Sequence, residues 1–220
     1  MKKKLIVLLT TVFMSVFISA FMFIDTAYAD YYSERITLRQ GMRTNEVYNL
    51  QEDLKQLGYL KCNSTGYFGN LTYQAVINYQ RDKKLIVDGI VGTGTSSQIK
   101  ADLVIKTAKS YKGVPYVWGG TSPSGFDCSG FTHYVMLQND IIIARTASSQ
   151  YNYGYWVSKS QLKPGDLVFF STYKTGPSHV GIYVGNDQFI HASSGAGYVT
   201  ISNLSKAYYT QRYLGARRVI

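Results

Sequence analysis

The chain has 220 residues, 45% of them hydrophobic, with 20 Gly, 20 Tyr and only 4 Pro. That composition excludes a disordered chain and leaves room for one medium domain or two small ones. The formal charge is +10, yet no compact Lys/Arg cluster interleaved with aromatics stands out, so nucleic acid is not the expected partner. Tyrosine in such number, set among Ser, Thr and Asn, suits a wet, amphipathic surface that grips sugars or peptides, although tyrosine also fills β cores.

The N-terminus opens on Met1-Lys2-Lys3-Lys4, runs apolar from Leu5 to Ile24 and reaches Ala27-Tyr28-Ala29 before Asp30. Positive charge, apolar run and small residues around a larger one are the marks of a secretory signal over 1–29. The apolar run is also long enough to cross a bilayer at ~20 residues, so a retained anchor is the alternative. Either outcome carries the chain beyond Asp30 out of the cytoplasm; cleavage leaves a secreted, wall-associated protein with no lasting membrane insertion. The remainder keeps 20 basic and 12 acidic residues, a formal +8, and the nearest polyanions outside a cell are wall polymers and lipid headgroups.

Residues 36–100 read as a small all-α module. Val47, Leu50, Leu54 and Leu57 recur at helical spacing, with Thr44 or Asn45 as N-cap and Gly58 as stop. A Gly66/Gly69 loop leads to a second helix with Tyr73, Val76 and Ile77 on its apolar face and Tyr79 at the edge. Asp88-Gly89 then turns into a short third helix near Thr95–Ile99. The segments RQGMRTNEVYNLQEDLKQLGYL, GYFGNLTYQAVINYQ and DGIVGTGTSSQI resemble the three-helix peptidoglycan-binding domain of exported wall enzymes. Asn70 and Thr93 stand where that family often has proline, a replaceable choice at a first helical turn. The resemblance implies peptidoglycan as partner, with a spacer role as the alternative.

From 101 to 220 the texture is α+β. ADLVIKTAKSYKG reads as a helix and VPYVWGGTSPSGFD as a loop. A second helix follows Cys128, and then come the short strands DLVFFS, HVGIYV, DQFIHAS, YVTIS and QRYLGARRVI. Helices first and strands afterwards imply an antiparallel sheet. No internal repeat is visible.

Cys128 in FDCSGFTHYV is either a small buried hydrophobe beside Phe126 and Phe131 or a nucleophile at a helix start, where free N–H groups and the dipole lower a thiol pKa. Pairing with Cys62 is permitted by export, but the expected domain boundary lies between them and sequence gives no geometry. A thiolate needs a base, and the histidines are His133, His179 and His191. His133 is on the cysteine's own helix and off its face. If Gly185-Asn186-Asp187 is a three-residue loop, Val184 pairs with Gln188, Gly181 faces His191, and His179, Gly181 and His191 share one face. Val180, Ile182, Val184, Ile190 and Ala192 then share the other. A two-residue turn at Asn186-Asp187 would separate the histidines. Cys, base His and an orienting polar group form a cysteine-hydrolase set, whereas Cys with two His is also a conceivable zinc site.

YVWGG, DCSGF, ARTASSQ, LKPGDLVFF and SHVGIYVGNDQFIHAS occur in the order seen in NlpC-type cysteine peptidases of bacterial cell walls, a resemblance covering about 101–220. It implies a papain-like domain behind the three-helix module, acting as a monomeric peptidoglycan hydrolase with no metal or organic cofactor. It implies Cys128 as nucleophile, His179 as general base, His191 as the residue that orients it, and Tyr116 as a hydroxyl near the oxyanion. Asp127 and Ser129 are implied to contact the stem peptide, with helix capping as the other reading. Arg145 either touches a substrate carboxylate or ties its loop down, and Ala144 replaces the usual proline before it. Trp118 with Gly119-Gly120 is expected to serve packing and backbone shape. The bond implied first is the one after γ-D-glutamate, before diaminopimelate or lysine. A non-catalytic wall binder, an amidase or acyltransferase on the same scaffold, and a zinc amidase are the rival functions.

Overall fold

The computed structural model describes residues 36–220; the expected signal segment lies outside the described residues. The first helix, α1 (Asn45–Gln56), starts where the Thr44 hydroxyl accepts the Val47 N–H at 3.2 Å, and it buries Val47, Leu50 and Leu54. Helix α2 (Asn70–Asp82) and helix α3 (Thr93–Ser110) begin immediately after Gly69 and Gly92. Asn70 and Thr93 are therefore first helical residues, whose N–H groups lack an intrahelical partner anyway, so losing a proline there costs little.

Three expectations about this module need correction. The buried face of α2 is Thr72, Ala75, Val76, Tyr79 and Gln80, so Tyr79 lies at its centre, with its hydroxyl donating to Asp102 at 2.8 Å. The polar Gln80 turns inward because all its hydrogen-bonding capacity is used there. Its Oε1 accepts from Asp88 and Gly89 N–H, and its Nε2 donates to Ile90 O and Thr95 Oγ1. Gln51 does the same for the preceding loop, accepting from Thr65 and Gly66 N–H and donating to Tyr67 O and Thr72 Oγ1. GYFGNLT and GIVGTGT are thus a degenerate internal repeat, hidden because only Gly, Gly and Thr coincide in the letters. Each begins with a glycine at positive φ, +69° at Gly66 and +72° at Gly89. Finally, the short third helix and the helix expected from Ala101 are one element: α3 runs unbroken through residue 100. Its Ile99 and Leu103 pack with α1 and α2, while Val104 and Ala108 enter the core of the second unit.

That second unit is built on a six-stranded antiparallel sheet with strand order β3-β8-β4-β5-β6-β7. The strands are β3 (Tyr155–Val157), β4 (Leu167–Phe170), β5 (His179–Gly185), β6 (Gln188–Ser193), β7 (Tyr198–Asn203) and β8 (Tyr213–Arg218), preceded by a small hairpin of β1 (Thr121–Ser122) and β2 (Gly125–Phe126). Helix α4 (Cys128–Leu137) lays Phe131, Val135 and Met136 on one face of the sheet, against Val180, Ile182, Ile190 and Ala192. The other face carries Val168, Phe170, Phe189 and Tyr209, the last from the single turn α6 (Ala207–Thr210); α5 (Ala147–Gln150) is another such turn. Alternation along a strand assigns the two sets. All four residues of β4 are buried, as a central strand covered on both faces must be.

The β5–β6 hairpin reaches the expected pairing by a different route. Asn186 and Asp187 both have positive φ (50° and 60°), a two-residue turn, and Gly185 pairs with Gln188. Alone, that turn would put the histidines on opposite faces. The register shifts between Tyr183 and Gly185, leaving Val184 as an extra residue, and returns to Tyr183 opposite Phe189 and Ile182 opposite Ile190. The bulge restores the shared face.

Candidate functional site

Cys128 is the first residue of α4, and Asp127 is its N-cap, its Oδ1 accepting the Gly130 N–H at 2.6 Å. The loop carrying Gly119-Gly120 presses directly on this turn: a Cβ on Gly130 would lie 2.0 Å from Gly120 O, and Asp127 N–H donates to the same oxygen at 3.1 Å. Backbone contact this close needs glycine. The cysteine is 8% exposed, and its thiol points to Ser178 O at 3.9 Å. Cys62 and Cys128 are both free thiols.

The helix N-terminus, expected to lower the thiol pKa, is outweighed at Cys128 by burial. Burial, followed by the Asp127 carboxylate, pushes Cys128 up to about 11, against the opposing pull of the backbone N–H groups of Val180, Ser129 and Cys128 itself. Burial also takes His179 down to about 4, and burial with the neighbouring His179 holds His191 well below the usual histidine range. At neutral pH burial keeps the thiol and both imidazoles uncharged.

His179 Nε2 and His191 Nδ1 are 2.7 Å apart, with rings at 86°. His191 continues the chain through Nε2, 3.0 Å from Ser202 Oγ and 3.4 Å from the Tyr209 hydroxyl. If His179 keeps Nδ1 free to accept a thiol proton, its Nε2–H donates to His191 Nδ1. His191 must then carry its own proton on Nε2 and give it to Ser202 Oγ. Ser202 Oγ on β7 supplies the acceptor that this pair of tautomers requires. Nothing in the sequence singled out Ser202; the β6–β7 ladder, which places it opposite Phe189 on the histidine face, is the signal that locates it.

The other expected residues divide. Tyr116 is tied by its N–H to Gly197 O at 2.8 Å, and burial, with Cys128 and Asp127 nearby, pushes its phenol up to about 12, so it remains a proton donor. Arg145 grips Asp127 through both nitrogens, at 3.1 and 2.6 Å, and reaches Ser129 Oγ at 3.0 Å. In this state its contacts tie its loop to the start of α4. Gln150, fully buried, supports that loop by donating to Ser129 O and Ala144 O. His133 lies apart, donating Nδ1–H to Ile143 O at 2.9 Å. Trp118 does not pack as expected: it is 71% exposed and meets Tyr173 edge-on at 5.4 Å. Tyr173, unforeseen in the sequence, has its phenol pKa raised by burial and then by Cys128 and Asp127, which places it on the same rim. Among the described residues no group of three His, Cys, Asp or Glu is arranged to hold a metal ion.

A family profile described as "NlpC/P60 family" matches residues 113–218, and one described as "Putative peptidoglycan binding domain" matches 43–99. The chain is 50% identical over 125 residues to "Probable peptidoglycan endopeptidase LytE" of Bacillus subtilis, covering 56% of this chain and 35% of that protein. It is 50% identical over 118 residues to "Gamma-DL-glutamyl hydrolase" of the same species, covering 52% of this chain and 28% of that protein. The chain thus spans about a third of the length of the curated relatives it matches. Among solved structures, the peptidoglycan hydrolase RipB of Mycobacterium tuberculosis is 30% identical, with a TM-score of 0.51 over 80% of this chain and 84% of that one. Cys128 on its capped helix and the paired histidines on β5 and β6 fall inside the matched 113–218 segment, and the chain belongs to the NlpC/P60 family of cysteine peptidases.

Proposed function

We propose that this chain is an exported peptidoglycan hydrolase that cuts stem peptides as a D,L-endopeptidase, at the bond between γ-D-glutamate and diaminopimelate or lysine. The observation that carries the reading is the 2.7 Å His179–His191 contact on the strands packed against the helix that Cys128 begins. Cys128 Sγ attacks the γ-glutamyl carbonyl as its proton passes to His179 Nδ1. The resting thiol is neutral, so proton transfer accompanies attack instead of preceding it. The Tyr116 hydroxyl and the Cys128 backbone N–H receive the oxyanion. His179 returns the proton to the leaving nitrogen as the C–N bond breaks, giving a thioester and a free amine. Water, deprotonated by His179, then hydrolyses the thioester and regenerates the thiol. His191, held by Ser202, keeps the His179 ring aligned throughout.

Asp127 and Ser129 flank the nucleophile and, with Arg145, form the wall against which the acyl half rests. The 36–100 module holds the glycan or its stem and keeps the protein on the wall, which raises local substrate concentration. Support comes from the matched profile and from relatives whose names are those of peptidoglycan and γ-glutamyl hydrolases. The test is digestion of purified peptidoglycan by the wild type and by Cys128→Ala, with the fragments weighed by mass spectrometry. Split stem peptides from the wild type alone are expected. Activity surviving in Cys128→Ala, or fragments cut between sugar and peptide, would overturn the reading.

A further inference from the structure

On the sheet face that carries both histidines lies a cavity of about 360 Å³, with His179 in its wall. Thr172 comes to it from the β4–β5 connection, Ser193 and Ser194 from the end of β6 and the turn beyond it, and Thr200 from β7, where it stands opposite His191. Lys206, just before α6, supplies its one cationic side chain. No carboxylate lines it, and Lys206 takes part in none of the ion pairs among the described residues. The nearby Asp187 carboxylate accepts from Ser205 N–H at 3.0 Å. The cavity is therefore lined by hydroxyls, with a single positive charge that no ion pair among the described residues engages.

Its position relative to the chemistry fixes what it can hold. The Asp127–Ser129–Arg145 cluster contributes nothing to its lining. The two regions meet at the β6–β7 turn, where Gly197 O accepts the Tyr116 N–H. A general acid must lie within hydrogen-bond reach of the nitrogen it protonates, so the amine half of the scissile bond departs past His179, which is 8% exposed and lines this cavity.

We propose that the cavity is the subsite for the leaving half of the cleaved peptide, and that Lys206 recognises a free carboxylate on that half. The inference rests on the peptidase reading above and deepens it. Hydroxyls of Thr172, Ser193 and Thr200 serve the amides and ammonium of the leaving peptide. Lys206 gains an ion pair with a leaving residue whose side chain ends in a carboxylate, such as diaminopimelate, and faces like charge when that side chain ends in an ammonium alone, as in lysine. The enzyme then distinguishes the two wall chemistries from the leaving side.

The test uses two synthetic γ-D-glutamyl peptides that differ only in the leaving diaminopimelate, free carboxylate against carboxamide. Turnover of both is measured with the wild type, Lys206→Gln and Lys206→Glu. A partly exposed ion pair predicts a wild-type preference for the carboxylate of about fivefold in kcat/KM, falling close to one in Lys206→Gln and inverting in Lys206→Glu. Independently of turnover, the free diaminopimelyl-alanine fragment is titrated into Cys128→Ala and into Cys128→Ala combined with Lys206→Gln, with the second expected to bind about fivefold more weakly. A carboxylate preference that survives both Lys206 variants, or fragment affinity indifferent to Lys206, overturns the subsite while leaving the peptidase intact. Failure of the wild type to cut either peptide overturns the peptidase reading itself.

Discussion

A single methyl at Gly181 should damage both the fold and the site, because the hairpin leaves no room for it. An added Cβ would lie 2.6 Å from Phe189 Cδ2, 2.9 Å from Ile190 O and 3.0 Å from His191 Cβ. Carbon atoms in good contact sit about 3.5–4.0 Å apart, so the overlap is about 1 Å against Phe189 and about half an ångström against His191. Phe189 cannot retreat, since it is fully buried against Phe170 at 5.0 Å, Tyr209 at 4.9 Å and His191 at 4.6 Å between ring centres. Overpacking of this kind costs about 1–3 kcal/mol. Part of the strain is relieved by moving His191, whose 2.7 Å bond to His179 then lengthens. Gly181→Ala should therefore lower the urea midpoint and, at temperatures where it stays folded, lower kcat on a soluble stem peptide. The control is Gly94→Ala, a helical glycine whose added Cβ meets nothing within 4 Å, which should be neutral or stabilising by up to about 1 kcal/mol. A Gly181→Ala protein with wild-type midpoint and wild-type kcat would refute the argument that this glycine exists to seat His191.

Ser202→Ala removes the acceptor of the His191 Nε2 proton and should lower kcat about tenfold with KM little changed, while Ser202→Thr restores it; a Ser202→Ala protein as fast as the wild type would rule out a role in the proton chain. Because burial raises Cys128 to about 11, its iodoacetamide alkylation, followed by mass spectrometry of the Cys128 peptide, should climb through pH 9 and beyond; a plateau already reached at pH 6–7 would reveal a resting thiolate–imidazolium pair. His179 is lowered from 6.5 to about 4 on folding, so below pH ~6.5 the unfolded chain binds a proton that the folded chain refuses. Stability present above that pH should be lost as pH falls toward 4, by about 3 kcal/mol from this residue and further from His191, and denaturation midpoints flat between pH 7 and 4 would contradict it. Arg145→Ala should free Asp127 and loosen the start of α4, raising KM more than it lowers kcat; an unchanged KM would show that the acyl half does not rest on this wall.

What the letters revealed depended on whether the deciding contact was local. The α+β order, the strands β4 to β8 and the isolation of His133 follow from periodicity and spacing, and all appear in the structure. The histidine face was legible because apolar alternation along HVGIYV and QFIHA demanded it, even though the turn and the Val184 bulge that deliver it were not. The length of α3 was hidden because Gly94 and a run of Thr and Ser lower helix propensity, and packing on two cores overrides them. Ser202 and Tyr209 were invisible because each matters only through His191, which lies on a different element. The thiol pKa was misjudged for a related reason: the helix start is written in the sequence, but the depth of burial that outweighs it is set by the whole sheet.

The unbroken helix α3 has a mechanical consequence. A helix turns about 100° and advances 1.5 Å per residue. One residue inserted at 100–101 would swing the first module about 100° around the helix axis relative to the sheet, stripping Ile99 and Leu103 or Val104 and Ala108 from their cores. The module is consequently a handle of fixed bearing. A wall strand held by it would present its stem peptides to the groove from one direction, and exchange of such modules between relatives would have to preserve helical phase as well as sequence.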